Sequence, residues 1–285
     1  MAIIGVGLLG GSLALAARER KLINTITGFG RNQDTLKRAQ EKGVIDDWSA
    51  DLREAVKDCD LVVLCSPVGT FMPRLKEMKS ALKPGSIVTD VGSVKGDLVS
   101  QIENEMPEGA TFVGAHPIAG SEKSGLDAAF KELFEGARCI VTPTDKTPIE
   151  AQDRMVKFWD ALGMEVICMD PDEHDRVLGA VSHLPHVVAF ALMNAVAKVT
   201  TKNYDDVLCF SGGGLRDITR IASSDPVMWR DISISNRKQV LTLIDEFQVQ
   251  MDALKNMIDR KEAVRLEEAF AAANKNRIKL AKVDE

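Results

Sequence analysis

The hexad Gly5-Val6-Gly7-Leu8-Leu9-Gly10 limits what this chain can fold into more than any other segment. It follows a short apolar run (Ala2-Ile3-Ile4) and leads into a helix-forming one (Ser12-Leu13-Ala14-Leu15). Between a strand and a helix, three glycines at this spacing have a mechanical reading. The first allows a tight turn, the second lets a pyrophosphate approach the backbone, and the third lets the helix pack on the strand. Amides at the helix start then face the phosphates. The plain alternative is a glycine turn with no ligand. The same alternation continues to about residue 169. Apolar runs at 2–5, 26–30, 61–66, 87–91, 111–115, 138–142 and 165–169 are mostly separated by amphipathic stretches at 12–20, 34–42, 71–82, 97–105 and 148–162. Continuous apolar strands spaced by helices predict a parallel sheet covered on both faces.

From residue 172 onward strand signals vanish. Helices are predicted at 172–199, 215–223, 226–235, 236–258 and 261–280. The expected fold is therefore an α/β doubly wound, Rossmann-type domain over 1–169, followed by an all-helical domain over 170–285. Val240, Ile244, Phe247, Met251, Leu254 and Ile258 step by four and three residues and form one apolar stripe. The stripe suits packing within the domain or a dimer seam equally well. Segment 177–197 has no Asp, Glu, Lys or Arg and is long enough to cross a bilayer. It also carries Ser182, His183, Pro185, His186 and Asn194, which are costly in lipid. It reads as a buried central helix of a soluble domain, with no membrane partner.

A net charge of −6 argues against non-specific nucleic-acid binding. Five cysteines (Cys59, Cys65, Cys139, Cys168, Cys209) are scattered without a CxxC pair, which points to a reducing, cytoplasmic setting. The sequence opens in a strand with no basic leader, so no secretory signal is read.

The cofactor residues expected are Gly5, Gly7, Leu8, Leu9 and Gly10, together with Ser66, Pro67 and Ser93 at the carboxyl ends of later strands, where ligands bind in open α/β sheets. The second strand ends Gly28-Phe29-Gly30-Arg31-Asn32. An acidic residue there would hold the ribose hydroxyls of NAD, whereas Arg31 suits the 2′-phosphate of NADP. The alternative is a solvated Arg31, with Asp34 or backbone atoms serving NAD. Ser93 and Lys95 are placed to reach the nicotinamide or the substrate, or simply to form a βα turn.

His116 lies in Gly114-Ala115-His116-Pro117-Ile118-Ala119-Gly120-Ser121-Glu122, read as a turn framed by Gly and Pro beyond the 111–115 run. A titratable group beside a bound nicotinamide can take a proton while a hydride leaves. His183 and His186 flank Pro185, whose missing N–H bends a helix and can aim His183 at a cleft. They share a face, but no third metal ligand is evident, so no metal is expected. Arg216 and Arg220 follow Gly212-Gly213-Gly214 on one helical face, and Arg220 is suited to a carboxylate.

Taken together, the segments 5–10, 90–96, 114–125, 182–186, 212–222 and 224–231 (Ser-Asp-Pro-Val-Met-Trp-Arg-Asp) resemble the prephenate dehydrogenase family of tyrosine biosynthesis, in order and across nearly the whole chain. The resemblance implies NAD(P)-dependent oxidative decarboxylation of prephenate to 4-hydroxyphenylpyruvate, or of arogenate to tyrosine. By the same resemblance His116 withdraws the C4 hydroxyl proton, Ser93 orients that hydroxyl and His183 contacts substrate. Arg220 holds a carboxylate, and Ser121 contacts the substrate. Glu122 gates the pocket mouth, and Asp217 and Trp229 support it. A homodimer through the helical domain is also implied. Gly30-Arg31 departs from the NAD-using members and favours NADP. Rival readings are another dehydrogenase on the same two-domain plan, which would lack the 116 and 183 motifs, and a cofactor-sensing module without turnover.

Overall fold

A computed structural model of the chain describes residues 1–120, 123–204 and 206–281. Two compact units part between Arg237 and Lys238. The first is built on an eight-stranded sheet with strand order β3-β2-β1-β4-β5-β6-β7-β8. Its strands are β1 (Ala2–Ile4), β2 (Thr27–Phe29), β3 (Asp47–Trp48), β4 (Leu61–Leu64), β5 (Ile87–Asp90), β6 (Thr111–Pro117), β7 (Arg138–Thr142) and β8 (Glu165–Cys168). The helices between them are α1 (Leu8–Glu19), α2 (Gln33–Glu41), α3 (Leu52–Val56), α4 (Phe71–Met78), α5 (Gly96–Glu105) and α6 (Ile149–Ala161).

Strand residues alternate between two apolar cores, as period-two geometry requires. Ile3 and Val63 face a core shared with Leu13 of α1, Leu36 of α2 and Trp159 of α6. Ala2, Ile4, Val62 and Leu64 face the opposite core, with Leu52 of α3, Phe71 of α4 and Ile102 of α5. Both faces are covered, so the doubly wound expectation holds.

One strand departs from the expected direction. β7 runs antiparallel to β6, pairing Ile140 with His116 and Cys139 with Pro117. A parallel return needs a crossover, usually a helix. The described residues between β6 and β7 supply only a short helical turn at Leu126–Ala128, so the chain comes straight back.

After β8 the first unit becomes helical: α7 (Pro171–Leu178), a π turn (Gly179–His183), α8 (Leu184–Val196), α9 (Gly213–Thr219) and α10 (Pro226–Ser235). Asp170 caps α7 through the amides of Asp172 and Glu173, with Pro171 pre-set at the first position. Pro185 cannot donate to the carbonyl four residues back, and the ladder widens into the π turn just before it.

The expectation of a buried central helix is corrected. Pro171–Val196 is long and apolar enough to cross a membrane, yet only 22% of its most apolar window is buried within the chain. Val181 is 69% exposed.

The second unit, Lys238–Glu285, holds most of α11 (Arg237–Asp259) and all of α12 (Ala263–Ala281). Lys261, at φ 55, makes the left-handed step between the two helices. Of the α11 stripe, Phe247, Met251 and Ile258 remain exposed in the single chain.

Candidate active site

The parallel strands β1, β4, β5 and β6 end along one edge of the sheet, and the loops that follow them carry most of the expected site residues. At the nucleotide end, a cavity of about 300 Å³ is lined by Gly5, Gly7, Gly30, Arg31, Ser66, Pro67 and Arg74, among others. Gly5 adopts φ +109, and a Cβ there would lie 2.8 Å from the Ser66 amide nitrogen. A Cβ on Gly10 would lie 2.2 Å from the Gly5 carbonyl oxygen, while one on Gly7 would meet nothing within 4 Å. The third glycine is therefore required by packing, and the second leaves open room beside the backbone. Gly7 is the N-cap of α1 and supplies no side-chain cap, so the first amides keep their capacity for an anion. These residues fit a dinucleotide. Leu8 and Leu9 pack against the core behind the loop.

Arg31 is exposed and lines the cavity. Asn32 accepts the Thr35 amide at 3.1 Å and caps α2. Arg74 is a rim cation that the sequence reading missed. It comes from α4, and its guanidinium carbon sits 4.9 Å from the Phe29 ring centroid. The Ser66 and Thr70 hydroxyls are 2.7 Å apart and brace the loop after β4.

At the other end, His116 sits within β6 rather than in a turn, because pairing with β7 continues through Pro117. It is 8% exposed. Its Nδ1 lies 2.8 Å from His174 Nε2, and His174 Nδ1 lies 2.8 Å from Asp175 Oδ1. Neither α7 residue was singled out in the sequence. Both lie on the buried face of that helix with Pro171 and Leu178. Burial drives His116 well below the ordinary histidine range, with His174, Lys95 and His183 adding to it. Burial likewise lowers His174 to about 2 and raises Asp175 to about 6.

Of the two readings open for Lys95, reaching toward ligand or forming the βα turn, its contacts match the second. It is fully buried, and its Nζ donates to Asp90 Oδ2 and the Gly92 carbonyl, each at 2.7 Å, and to the Val94 carbonyl at 3.2 Å. Asp90 also accepts the amides of Gly92 and Ala115. Burial raises the Asp90 carboxyl, and Lys95 opposes that shift. Every polar atom of this ion pair has partners, the condition under which a buried pair is tolerated. It fixes the loop that holds Ser93, which is half-buried.

His183 is fully buried, with Nδ1 2.9 Å from Asn236 Nδ2. Burial lowers it to about 4. His186 is the more open of the two. Its Nδ1 donates to the Ser182 carbonyl at 2.9 Å, and its ring stacks on Trp229 with centroids 3.6 Å apart. Burial lowers His186 first, and the nearby Arg220 adds to it. His183 is the more enclosed of the two, and its Nε2 is buried without a hydrogen-bond partner among the described residues. Arg220 and Asp217 are exposed, and Trp229 is buried between the two histidines. Ser121 and Glu122 lie outside the described residues. Among the described residues no group of three His, Cys, Asp or Glu is gathered for a metal.

Similarity to known proteins agrees with this geometry. The profile of the prephenate dehydrogenase nucleotide-binding domain matches residues 13–168, and that of the prephenate dehydrogenase dimerization domain matches residues 170–272. A cyclohexadienyl dehydrogenase of Zymomonas mobilis is 34% identical over 98% of this chain and 95% of its own length. A prephenate dehydrogenase of Bacillus subtilis is 36% identical over 95% of this chain and 73% of its own length. The crystal structure of an A. aeolicus prephenate dehydrogenase, in complex with hydroxyphenyl propionate and NAD+, superposes with a TM-score of 0.92 at 38% identity, covering 98% of this chain and 97% of that one. This chain belongs to the prephenate dehydrogenase family and is an NAD(P)-dependent dehydrogenase.

Proposed function

We propose that the chain catalyses the oxidative decarboxylation of prephenate to 4-hydroxyphenylpyruvate. The observation that carries this reading is His116: an imidazole at the carboxyl edge of a nucleotide-binding sheet, held neutral by burial and hydrogen-bonded through Nδ1 to His174. Bound NAD(P) supplies the two-electron acceptor. His116 takes the proton of the substrate C4 hydroxyl, and Ser93, held by the Asp90–Lys95 pair beneath its loop, orients that hydroxyl. Arg220 holds a substrate carboxylate beside His186. Trp229 fixes the His186 ring by stacking, and Asp217, on α9 three residues before Arg220, supports the segment that carries that arginine.

The cofactor preferred is NADP. Arg31 faces the cavity where an acidic residue would serve NAD, with Arg74 on the same rim. The functional boundary falls at 169/170, with nucleotide binding before it and substrate binding and dimerisation after it. The apolar faces of Pro171–Val196 and α11 that stay exposed in the single chain suit a homodimer in the cytoplasm. Arogenate is the second reading, favoured by the relative named cyclohexadienyl dehydrogenase.

The test is purified protein assayed with each of prephenate and arogenate against each of NAD and NADP, followed at the absorbance of the reduced nicotinamide. The highest kcat/KM is expected for prephenate with NADP. Reduction with neither substrate refutes the reading.

A further inference from the structure

His116, His174 and Asp175 form a single file of hydrogen bonds whose direction can be worked out from one end. Asp175 Oδ1 accepts the backbone N–H of Lys95 at 2.7 Å. The same oxygen lies 2.8 Å from His174 Nδ1, so that nitrogen carries a proton and donates it. A neutral His174 then has only a lone pair on Nε2. The atom facing that lone pair at 2.8 Å is His116 Nδ1, which must be the donor. One nitrogen of a neutral imidazole carries the proton, so His116 Nε2 is left bare.

The file is anchored on several sides. Asn236 Nδ2 donates to the Asp175 carbonyl at 2.8 Å. Gly96 leaves room for the carboxylate, since a Cβ there would lie 2.6 Å from Asp175 Oδ2. Of the other charged or titratable groups nearby, Lys95 is engaged with Asp90 and His183 with Asn236, while the charge of Asp97 bears on Asp175. Asn236 must donate to the Asp175 carbonyl, so its amide nitrogen also donates to His183 Nδ1. His183 is thereby fixed in the opposite form, protonated at Nε2.

We propose that His174 and Asp175 are positioning residues that lock His116 in its Nδ1–H tautomer, so that Nε2 presents a lone pair to the substrate hydroxyl. This rests on the reading of His116 as the base. Free imidazole favours the Nε2–H form, which would offer the hydroxyl a donor where an acceptor is needed. Asp175 sits two hydrogen bonds from His116 and acts through His174, as the carboxylate of a Ser-His-Asp triad acts through its histidine. Burial that keeps His174 neutral also keeps its Nε2 an acceptor.

The test is two-bond 1H–15N correlation of the 15N-labelled full chain at pH 8, where Asp175, pushed up to about 6, is ionised. The sequence has only four histidines, so single substitutions assign them all. Wild-type His116 and His174 are expected as Nδ1–H and His183 as Nε2–H. In His174→Leu, His116 is expected to move toward the Nε2–H form, with kcat falling about 10²-fold or more and substrate KM within about twofold. His174→Gln, whose amide oxygen replaces the Nε2 acceptor, is expected to restore the Nδ1–H signal and most of kcat. A wild-type His116 in the Nε2–H form overturns the proposal, and so does a His174→Leu enzyme with unchanged tautomer and kcat. Because the wild-type spectrum needs no turnover, it decides this point even if neither prephenate nor arogenate proves to be the substrate.

Discussion

Between Gly5 and Gly10 the groups that meet ligand are backbone amides on neighbouring residues. Around His116 the site is built of side chains drawn from β6, α7, α8 and the loop after β5. The nucleotide end is open, and its charges, Arg31 and Arg74, stand at a cavity rim. The reaction end is dry: His116, His174, His183, Asp90, Lys95 and Asp175 are all buried. Binding a phosphate asks little of a protein beyond unobstructed amides. Holding a neutral base in one tautomer requires that the donors and acceptors along its own file of hydrogen bonds be matched. The two ends should therefore fail differently. Damage at the nucleotide end should raise the cofactor KM, and damage at the reaction end should lower stability or kcat.

The largest effect on stability is expected from Lys95→Met. It leaves the Asp90 carboxylate buried without its counter-charge. Removing one partner of a buried pair costs about 3–5 kcal/mol. Urea unfolding of the variant against the wild type measures it, and a loss under 1 kcal/mol would mean that Asp90 is sustained by its two amide donors alone. The counterpart at the nucleotide end is Gly10→Ala, whose Cβ would strike the Gly5 carbonyl. Overpacking of this kind costs about 1–3 kcal/mol. Cofactor KM should rise more than kcat falls.

pH separates the two ends further. His174 is held at about 2 and His183 at about 4, below the ordinary 6.5. The unfolded chain takes up these protons first, so stability is lost as pH falls below about 6.5. Asp175, raised from 3.8 to about 6, acts in the opposite sense and adds stability as pH falls between those values. With two histidines against one carboxylate the net loss between pH 7.5 and 5.5 should be about 2 kcal/mol, and His116, shifted the same way as the histidines, adds to it. Denaturation at the two pH values checks the sign. The smallest effect is expected from exposed Arg31→Ala: kcat/KM for NADP should fall about tenfold, with NAD nearly unchanged. A variant that retains its NADP preference would move the specificity to Arg74 or to backbone.

What could be read from the sequence follows the same division. The glycine hexad announces itself because its contacts are local, and long strands and helices show their periodicity. The apolar run Arg138–Thr142 and the helix Pro226–Ser235 match their expected bounds. β3, two residues long, and α3, five residues long, are too short to carry a period, and neither was expected. The antiparallel turn of β7 was invisible because strand propensity carries no direction. His174 and Asp175 were missed although a signal existed: two ionisable residues share the buried face of an amphipathic helix with Pro171 and Leu178. Buried ionisable side chains imply partners, and those partners lie too far along the chain for spacing to reveal. The same limit left the surroundings of His183 and His186 unread. Only the packed structure shows that Asn236 already engages His183 and that His186 is the more open of the two.

The central claim is that His116 is the base. The most direct measurement is kcat for prephenate-dependent reduction of NAD(P) by His116→Asn beside the wild type, both at pH 8 and at saturating cofactor. The account predicts a fall of about 10²–10⁴-fold with substrate KM nearly unchanged. A variant that turns over at the wild-type rate would contradict it.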